Sequence, residues 1–157
     1  TVTAGRARRQ PEIPYFTRSP RAAWAITRSF PSATSADASG LSRANRIPVR
    51  VLGSLLSDVA LGTHPVLGTV ASGLAVAGLT GTLADRYTSA ATRPGRGFVH
   101  AKTGTLTGVV GLAGTVQDAD GRVLVFAMIA NDVASIPATR ETMDVVASRL
   151  AACGCSG

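Results

Sequence analysis

His100-Ala101-Lys102-Thr103-Gly104-Thr105-Leu106 stands at the head of two further apolar runs, and the order in which those runs follow one another decides the fold. Residues 98–106, 109–117 and 122–131 are rich in Val, Leu, Ile, Phe and Thr, which predicts three consecutive strands. Asp118-Ala119-Asp120-Gly121 supplies a hairpin loop, with a glycine where a positive φ is needed. The third run, Val123-Leu124-Val125-Phe126-Ala127-Met128-Ile129-Ala130, is apolar on both alternating faces, so its strand is expected to be covered on both sides. Ser135 then offers an N-cap and Pro137 an early helical position. Met143, Val146, Ala147 and Leu150 follow at i, i+3, i+4 and i+7. Glu141 and Asp144 sit early in this helix and Arg149 late, matching its dipole, and Gly154 is expected to end it. The fold class expected is α/β in the α+β sense, an antiparallel sheet flanked by helices.

Upstream, Pro48 opens a predicted helix with Leu52, Leu55, Leu56 and Val59 on one face and Gly62 as a left-handed cap. Residues 66–84 carry no charge, but Gly68, Gly73, Gly78 and Gly81 punctuate them. A Gly-rich loop with a buried short helix is expected rather than a membrane span. Residues 1–36 are rich in Arg, Ser, Thr and Pro without sustained periodicity, and irregular structure is expected there. The composition shift near Ser35 is what a changed reading frame would produce, so this segment is read as non-native and residues 37–157 as the domain. The chain begins with Thr1 and no basic-then-apolar signal peptide opens it, so an internal start is expected.

The net charge of +7 belongs to the first third. Residues 1–50 hold nine arginines against Glu12 and Asp37, whereas residues 51–157 are balanced. Those arginines lie on no recognisable helix and lack interleaved aromatics beyond Tyr15, Phe16, Trp24 and Phe30. Nucleic-acid binding is accordingly ranked last; it would show a salt slope of about 0.9 per phosphate contact. Cys153 and Cys155, with only His64 and His100 elsewhere, do not make a zinc set, and no metal or cofactor is expected. A terminal disulfide or free thiols both fit Cys-Gly-Cys.

Lys102 is the only lysine in the chain. A lysine on a sheet edge costs desolvation unless an anion or hydrogen-bond partner awaits it. Thr103 adds a hydroxyl donor, and Gly104 removes the side chain that would keep a ligand backbone off the strand. Together they suit an extended peptide ending in a carboxylate. For the triplet alone, a surface lysine beside an incidental Thr-Gly is the better account; the succession of strand, turn, strand and terminal helix supplies the context. In Asp37-Ala38-Ser39-Gly40-Leu41-Ser42-Arg43-Ala44-Asn45, Ser42 could relay a proton and Asn45 could hold a substrate carbonyl, although both are also ordinary loop residues. His100 shares a strand face with Lys102 but has no acid near it in sequence to orient it as a base.

Three blocks carry a resemblance: residues 37–48, then Leu74-Ala75-Val76-Ala77-Gly78-Leu79-Thr80-Gly81-Thr82-Leu83 with Arg86-Tyr87, then His-Ala-Lys-Thr-Gly-Thr-Leu-Thr-Gly-Val. In this order they resemble the D-alanyl-D-alanine carboxypeptidase/endopeptidase class of low-molecular-mass penicillin-binding proteins, and the closing Cys-Gly-Cys is similar to actinobacterial members. The resemblance covers residues 37–155 and implies part of a penicillin-binding-protein/β-lactamase-like transpeptidase fold. It implies an exported cell-wall enzyme that cleaves peptidoglycan stem peptides through a serine acyl-enzyme, with β-lactams trapping the serine. On that mapping Lys102 is catalytic and, with Thr103, binds the terminal carboxylate. Gly104 leaves room, and the Thr105 backbone N–H is an oxyanion donor. Ser42, catalytic, and Asn45, substrate-binding, answer to the second motif, usually Ser-x-Asn; here two residues separate them.

The first motif, Ser-x-x-Lys, cannot exist in a chain whose single lysine is Lys102. Loss of one member of a coupled nucleophile-and-base site removes on the order of 10⁶ in rate in a serine protease, so this chain alone is expected to be inactive. The missing N-terminal part of the enzyme is a partner in this reading. A non-catalytic peptidoglycan-peptide binder and an inactive gene fragment are the alternatives.

Overall fold

The computed structural model describes residues 2–6, 33–63 and 65–154. Three long strands, β3 (Val99–Leu106), β4 (Val109–Gln117) and β5 (Val123–Asn131), form an antiparallel meander within one residue of the limits expected. Gly121 takes φ 78° in the β4–β5 connection and Gly108 takes φ 73° between β3 and β4, each in the left-handed region that a side chain disfavours. A two-residue strand β2 (Ala75–Val76) joins the outer side of β3, and β1 (Val2–Arg6) joins the outer side of β5. The sheet order is β1-β5-β4-β3-β2 and every pairing is antiparallel.

The strand β1 corrects the expectation of irregular structure in residues 1–36. Five residues are too few to show alternation, and what recruits them is the free hydrogen-bonding edge of β5, which pairs Val2 with Met128 and Arg6 with Leu124. The arginines and aromatics of residues 7–32, His64 and Cys155 lie outside the described residues.

The sheet is covered on both faces. Helix α3 (Ile136–Ala152) packs on one, where Val99, Ala101, Val110, Leu112, Val116, Leu124, Phe126 and Met128 meet Met143, Ala147 and Ala151. Full burial of a side chain such as Phe126 contributes about 1.5–3 kcal/mol. Helix α1 (Val49–Leu61) lies on the opposite face, where Leu56 packs with Leu74, Val125 and the half-buried Ala113. β5 is therefore apolar on both sides because both sides are core. Gly62 closes α1 at φ 62°, and the Ser135 hydroxyl caps α3 by accepting from Ala138 N–H, as the sequence predicts. The C-cap of α3 is Cys153, which is disulfide-bonded, with Gly154 one residue beyond.

Three expectations change. Val51, not Leu52 or Leu55, completes the buried stripe of α1 with Leu56 and Val59. The short helix α2 (Pro65–Ser72) is not buried: Val66 and Val70 are exposed and Leu67 is half-buried. Asp144 is no dipole partner at the start of α3, whose first turn holds no acid; it is buried and ion-paired. Among the described residues no single helix is long and apolar enough to cross a membrane.

Candidate functional site

β3 leaves the core along its own length. Val99 and Ala101 are fully buried beneath α3, whereas Lys102, Gly104 and Thr105 are exposed and Thr103 is half-buried. β2 pairs only with His100 and Ala101, so residues 102–106 have β4 on one side and no strand on the other among the described residues. A close approach anchors this strand: a Cβ at Gly114 would collide with the His100 carbonyl and come within 2.6 Å of Ala101 Cα. Gly104 differs, since a Cβ there would meet nothing within 4 Å.

The Lys102 ammonium donates to the Thr103 carbonyl at 2.8 Å and has no carboxylate partner among the described residues. The Thr103 hydroxyl donates at 3.0 Å to that of Thr82, which the 3-10 turn Gly81–Leu83 presents to the strand. Arg140, on the second turn of α3, donates from Nη2 to the Thr105 hydroxyl at 2.9 Å. Neither Thr82 nor Arg140 was singled out from the sequence. Thr82 sits in a block that the resemblance quotes, whereas Arg140 is 35 residues from its partner and carries no local signal.

The loop at residues 37–45 is a self-contained clamp around one carboxylate. Asp37 accepts from the Ser39 hydroxyl, from the backbone N–H of Gly40 and Ser42, and from Asn45 Nδ2. These bonds, led by those from Asn45 and Ser39, hold its pKa below the ordinary value. Asn45 Oδ1 accepts in turn from Ala36 N–H at 2.7 Å, and the Ser42 hydroxyl accepts from Ala44 N–H. Arg43 leaves the clamp and donates to the Thr107 carbonyl at 3.0 Å, which seats the loop on the β3–β4 turn. The structure thus brings the first block to the end of the third. Among the described residues no hydrogen bond joins Ser42 or Asn45 to Lys102, Thr103, Gly104 or Thr105.

Behind the sheet a second polar group is built inward. Arg86 grips Asp144 with two hydrogen bonds, Nη2 to Oδ1 at 2.7 Å and Nε to Oδ2 at 2.9 Å. Burial raises the Asp144 pKa, and Arg86 offsets part of that rise. Tyr87, at φ 63°, is buried beside it. Among the described residues its hydroxyl has no hydrogen-bond partner, and burial followed by the Asp144 charge pushes its pKa up. The Ser148 hydroxyl donates to the Thr92 carbonyl at 2.7 Å, and Gly95 has no room for a Cβ between Ser148 and Tyr87. This cluster secures residues 86–95 to α3.

Carboxypeptidase DacB of Mycolicibacterium smegmatis is 42% identical over 120 residues, covering 76% of this chain and 26% of the relative. The D-alanyl-D-alanine carboxypeptidase of Actinomadura sp. strain R39 is 38% identical over 120 residues, covering 73% of the chain and 21% of the relative. The chain thus spans about a quarter of the length of the curated relatives it matches. Penicillin binding protein 4 of Haemophilus influenzae, solved in complex with a β-lactam, superposes with a TM-score of 0.64 at 27% identity, over 80% of this chain and 31% of that one. The sheet and helices described above are therefore part of the penicillin-binding-protein fold. A family model matches residues 29–152, so the match begins ahead of the composition shift near Ser35 and includes the whole 37–45 clamp. The chain belongs to the D-Ala-D-Ala carboxypeptidase 3 (S13) family.

Proposed function

We propose that this chain carries the carboxylate-binding wall of a serine-type D-Ala-D-Ala carboxypeptidase/endopeptidase site that acts on peptidoglycan stem peptides outside the cytoplasm. The observation that carries this reading is the outer edge of β3 at residues 102–106, where, among the described residues, no strand pairs and a lysine without a counter-ion, two threonine hydroxyls and an unhindered glycine occur together. An extended peptide adds to such an edge through backbone hydrogen bonds, and its terminal carboxylate needs a cation and hydroxyl donors. Lys102 supplies the charge and shapes the field at the reacting carbonyl. Thr103 supplies a hydroxyl whose proton, given to Thr82 in the chain alone, turns to the ligand carboxylate; Gly104 lets the peptide lie close, and the Thr105 N–H is a donor for the developing oxyanion.

Ser42 and Asn45 complete the rim through Arg43 and Thr107. Ser42 accepts within the loop and keeps its own proton to donate; Asn45 has a second amide proton beyond the one given to Asp37. The nucleophile belongs to a Ser-x-x-Lys motif that the 157 residues do not contain. The rest of the site is a partner in this reading, and β-lactams are its trapping ligands. The non-native origin proposed for residues 1–36 is tested by the genomic DNA upstream, where a Ser-x-x-Lys in another reading frame would make the chain part of a broken enzyme.

Two measurements test this. The purified chain is expected to take no covalent label from fluorescent penicillin; a labelled band that prior boiling abolishes would show that a nucleophile is present after all. It is also expected to bind N-acetyl-D-Ala-D-Ala reversibly, with Lys102→Ala removing the binding. A chain with no affinity for that peptide would be an inert fragment, and the binding reading would fall.

A further inference from the structure

Arg140 is exposed, stands outside the three sequence blocks, and has no carboxylate partner among the described residues. Its guanidinium nevertheless has a fixed place, because Nη2 donates to the Thr105 hydroxyl. A hydroxyl that accepts from a guanidinium keeps its own proton for another acceptor. Thr105 is therefore set as a donor, while the remaining N–H groups of the Arg140 fork stay available beside it.

Thr103 and Thr105 share one face of β3, so they lie about 6.6 Å apart along the strand. One carboxylate, with hydrogen bonds of about 2.7 Å on either side, fits that interval. Lys102 belongs to the alternate register. Its ammonium nevertheless reaches the Thr103 carbonyl at 2.8 Å, so a carboxylate bridging the two threonines at the strand edge would have Lys102 beside Thr103 and Arg140 beside Thr105.

We propose that Arg140 is a ligand-binding and specificity-determining residue of this site: through Thr105 it brings a second cation to the free C-terminal carboxylate of a peptide lying on the β3 edge. The inference rests on the carboxylate-binding reading above and adds a discrimination to it. A peptide acid is held by two cations, whereas its C-terminal amide leaves Arg140 without an anion.

The experiment titrates the isotope-labelled 157-residue chain with N-acetyl-D-Ala-D-Ala and, separately, with its C-terminal amide, following the backbone amides of residues 102–106 by NMR. Wild type is expected to prefer the acid. Arg140→Gln is expected to lower the acid affinity about tenfold, as for loss of one charge-assisted hydrogen bond, and to leave the amide affinity unchanged. Arg140→Lys, which keeps the charge but loses the fork, is expected to recover part of the loss. Thr105→Val, tested independently, should weaken the acid and spare the amide. Acid binding by Arg140→Gln equal to wild type would overturn the Arg140 assignment while Lys102→Ala still abolishes binding. Absence of any preference for the acid in wild type would overturn the carboxylate reading itself, and this inference with it.

Discussion

Arg86 and Arg140 both address α3, within one helical turn of each other, and they meet opposite circumstances. Arg86 reaches in from the loop before β3 and closes both arms on Asp144, an anion that the fold itself supplies. Arg140, itself on α3, finds among the described residues only the Thr105 hydroxyl. The two are linked, because Arg86 Nη2 also lies 3.4 Å from the Arg140 carbonyl, so the buried pair fixes the turn from which Arg140 extends. A charge answered inside the chain is architecture; one that meets no carboxylate among the described residues, at a strand edge, is on the reading proposed above available to a ligand.

The largest effect that separates the two regions should come from Arg86→Ala. It leaves the Asp144 carboxylate buried and unpaired, a loss of about 3–5 kcal/mol in unfolding free energy by denaturant titration. The sign with pH checks the cause. Without its partner, Asp144 has a folded pKa raised further above that of the unfolded chain, so the folded state binds the proton more tightly. The deficit should therefore be largest near neutrality, shrink as pH falls through the raised folded pKa, and have levelled off by the unfolded value of 3.8. A deficit that does not vary with pH would mean that lost packing, not the stranded charge, causes it.

A pair of glycines sharpens the comparison at smaller cost. Gly114→Ala drives a methyl against the His100 carbonyl and Ala101, prying β3 from β4 beside Lys102, and should destabilise by about 1–3 kcal/mol as overpacking does. Gly104→Ala meets no neighbour. It should leave stability unchanged or raise it by about 0.4–1 kcal/mol through the unfolded chain, yet weaken peptide binding. Thermal unfolding of both variants, with peptide titration of the second, reads the difference. Should Gly104→Ala bind the peptide as wild type does, the space beside that glycine is not where the ligand backbone lies.

How much of this was legible follows from which interactions are local. The meander and α3 were readable because turn glycines, apolar runs and the Ser135 cap act over a few residues. Lys102-Thr103-Gly104 was readable because the triplet, its strand and its following turn are contiguous. Asp144 was misread since its burial depends on Arg86, 58 residues away, and nothing in the helix period marks a buried acid. β1 was missed because strand pairing at an edge is made by backbone groups that every residue has. Thr82 and Arg140 share this limitation, for each becomes visible only when the sheet brings it to Thr103 or Thr105.

The smallest effect expected belongs to the 37–45 clamp, where all the energetics are at the surface. Hydrogen bonds led by those from Asn45 and Ser39 keep the Asp37 pKa below 3.8, so the folded loop prefers the carboxylate to a greater degree than the unfolded chain does. The stabilisation is therefore complete above the unfolded value and is lost as pH falls through the lower folded one. Amide resonances of Gly40 and Ser42, which donate to this carboxylate, should hold steady from neutrality down to about pH 5 and move together only in stronger acid. Asp37→Asn should abolish that joint transition and slacken the Arg43 contact to Thr107, with global stability changed little because the clamp is exposed. If Gly40 and Ser42 titrate separately, or near pH 5 and above, the loop is not organised around Asp37, and its seat on the β3–β4 turn must come from Arg43 alone.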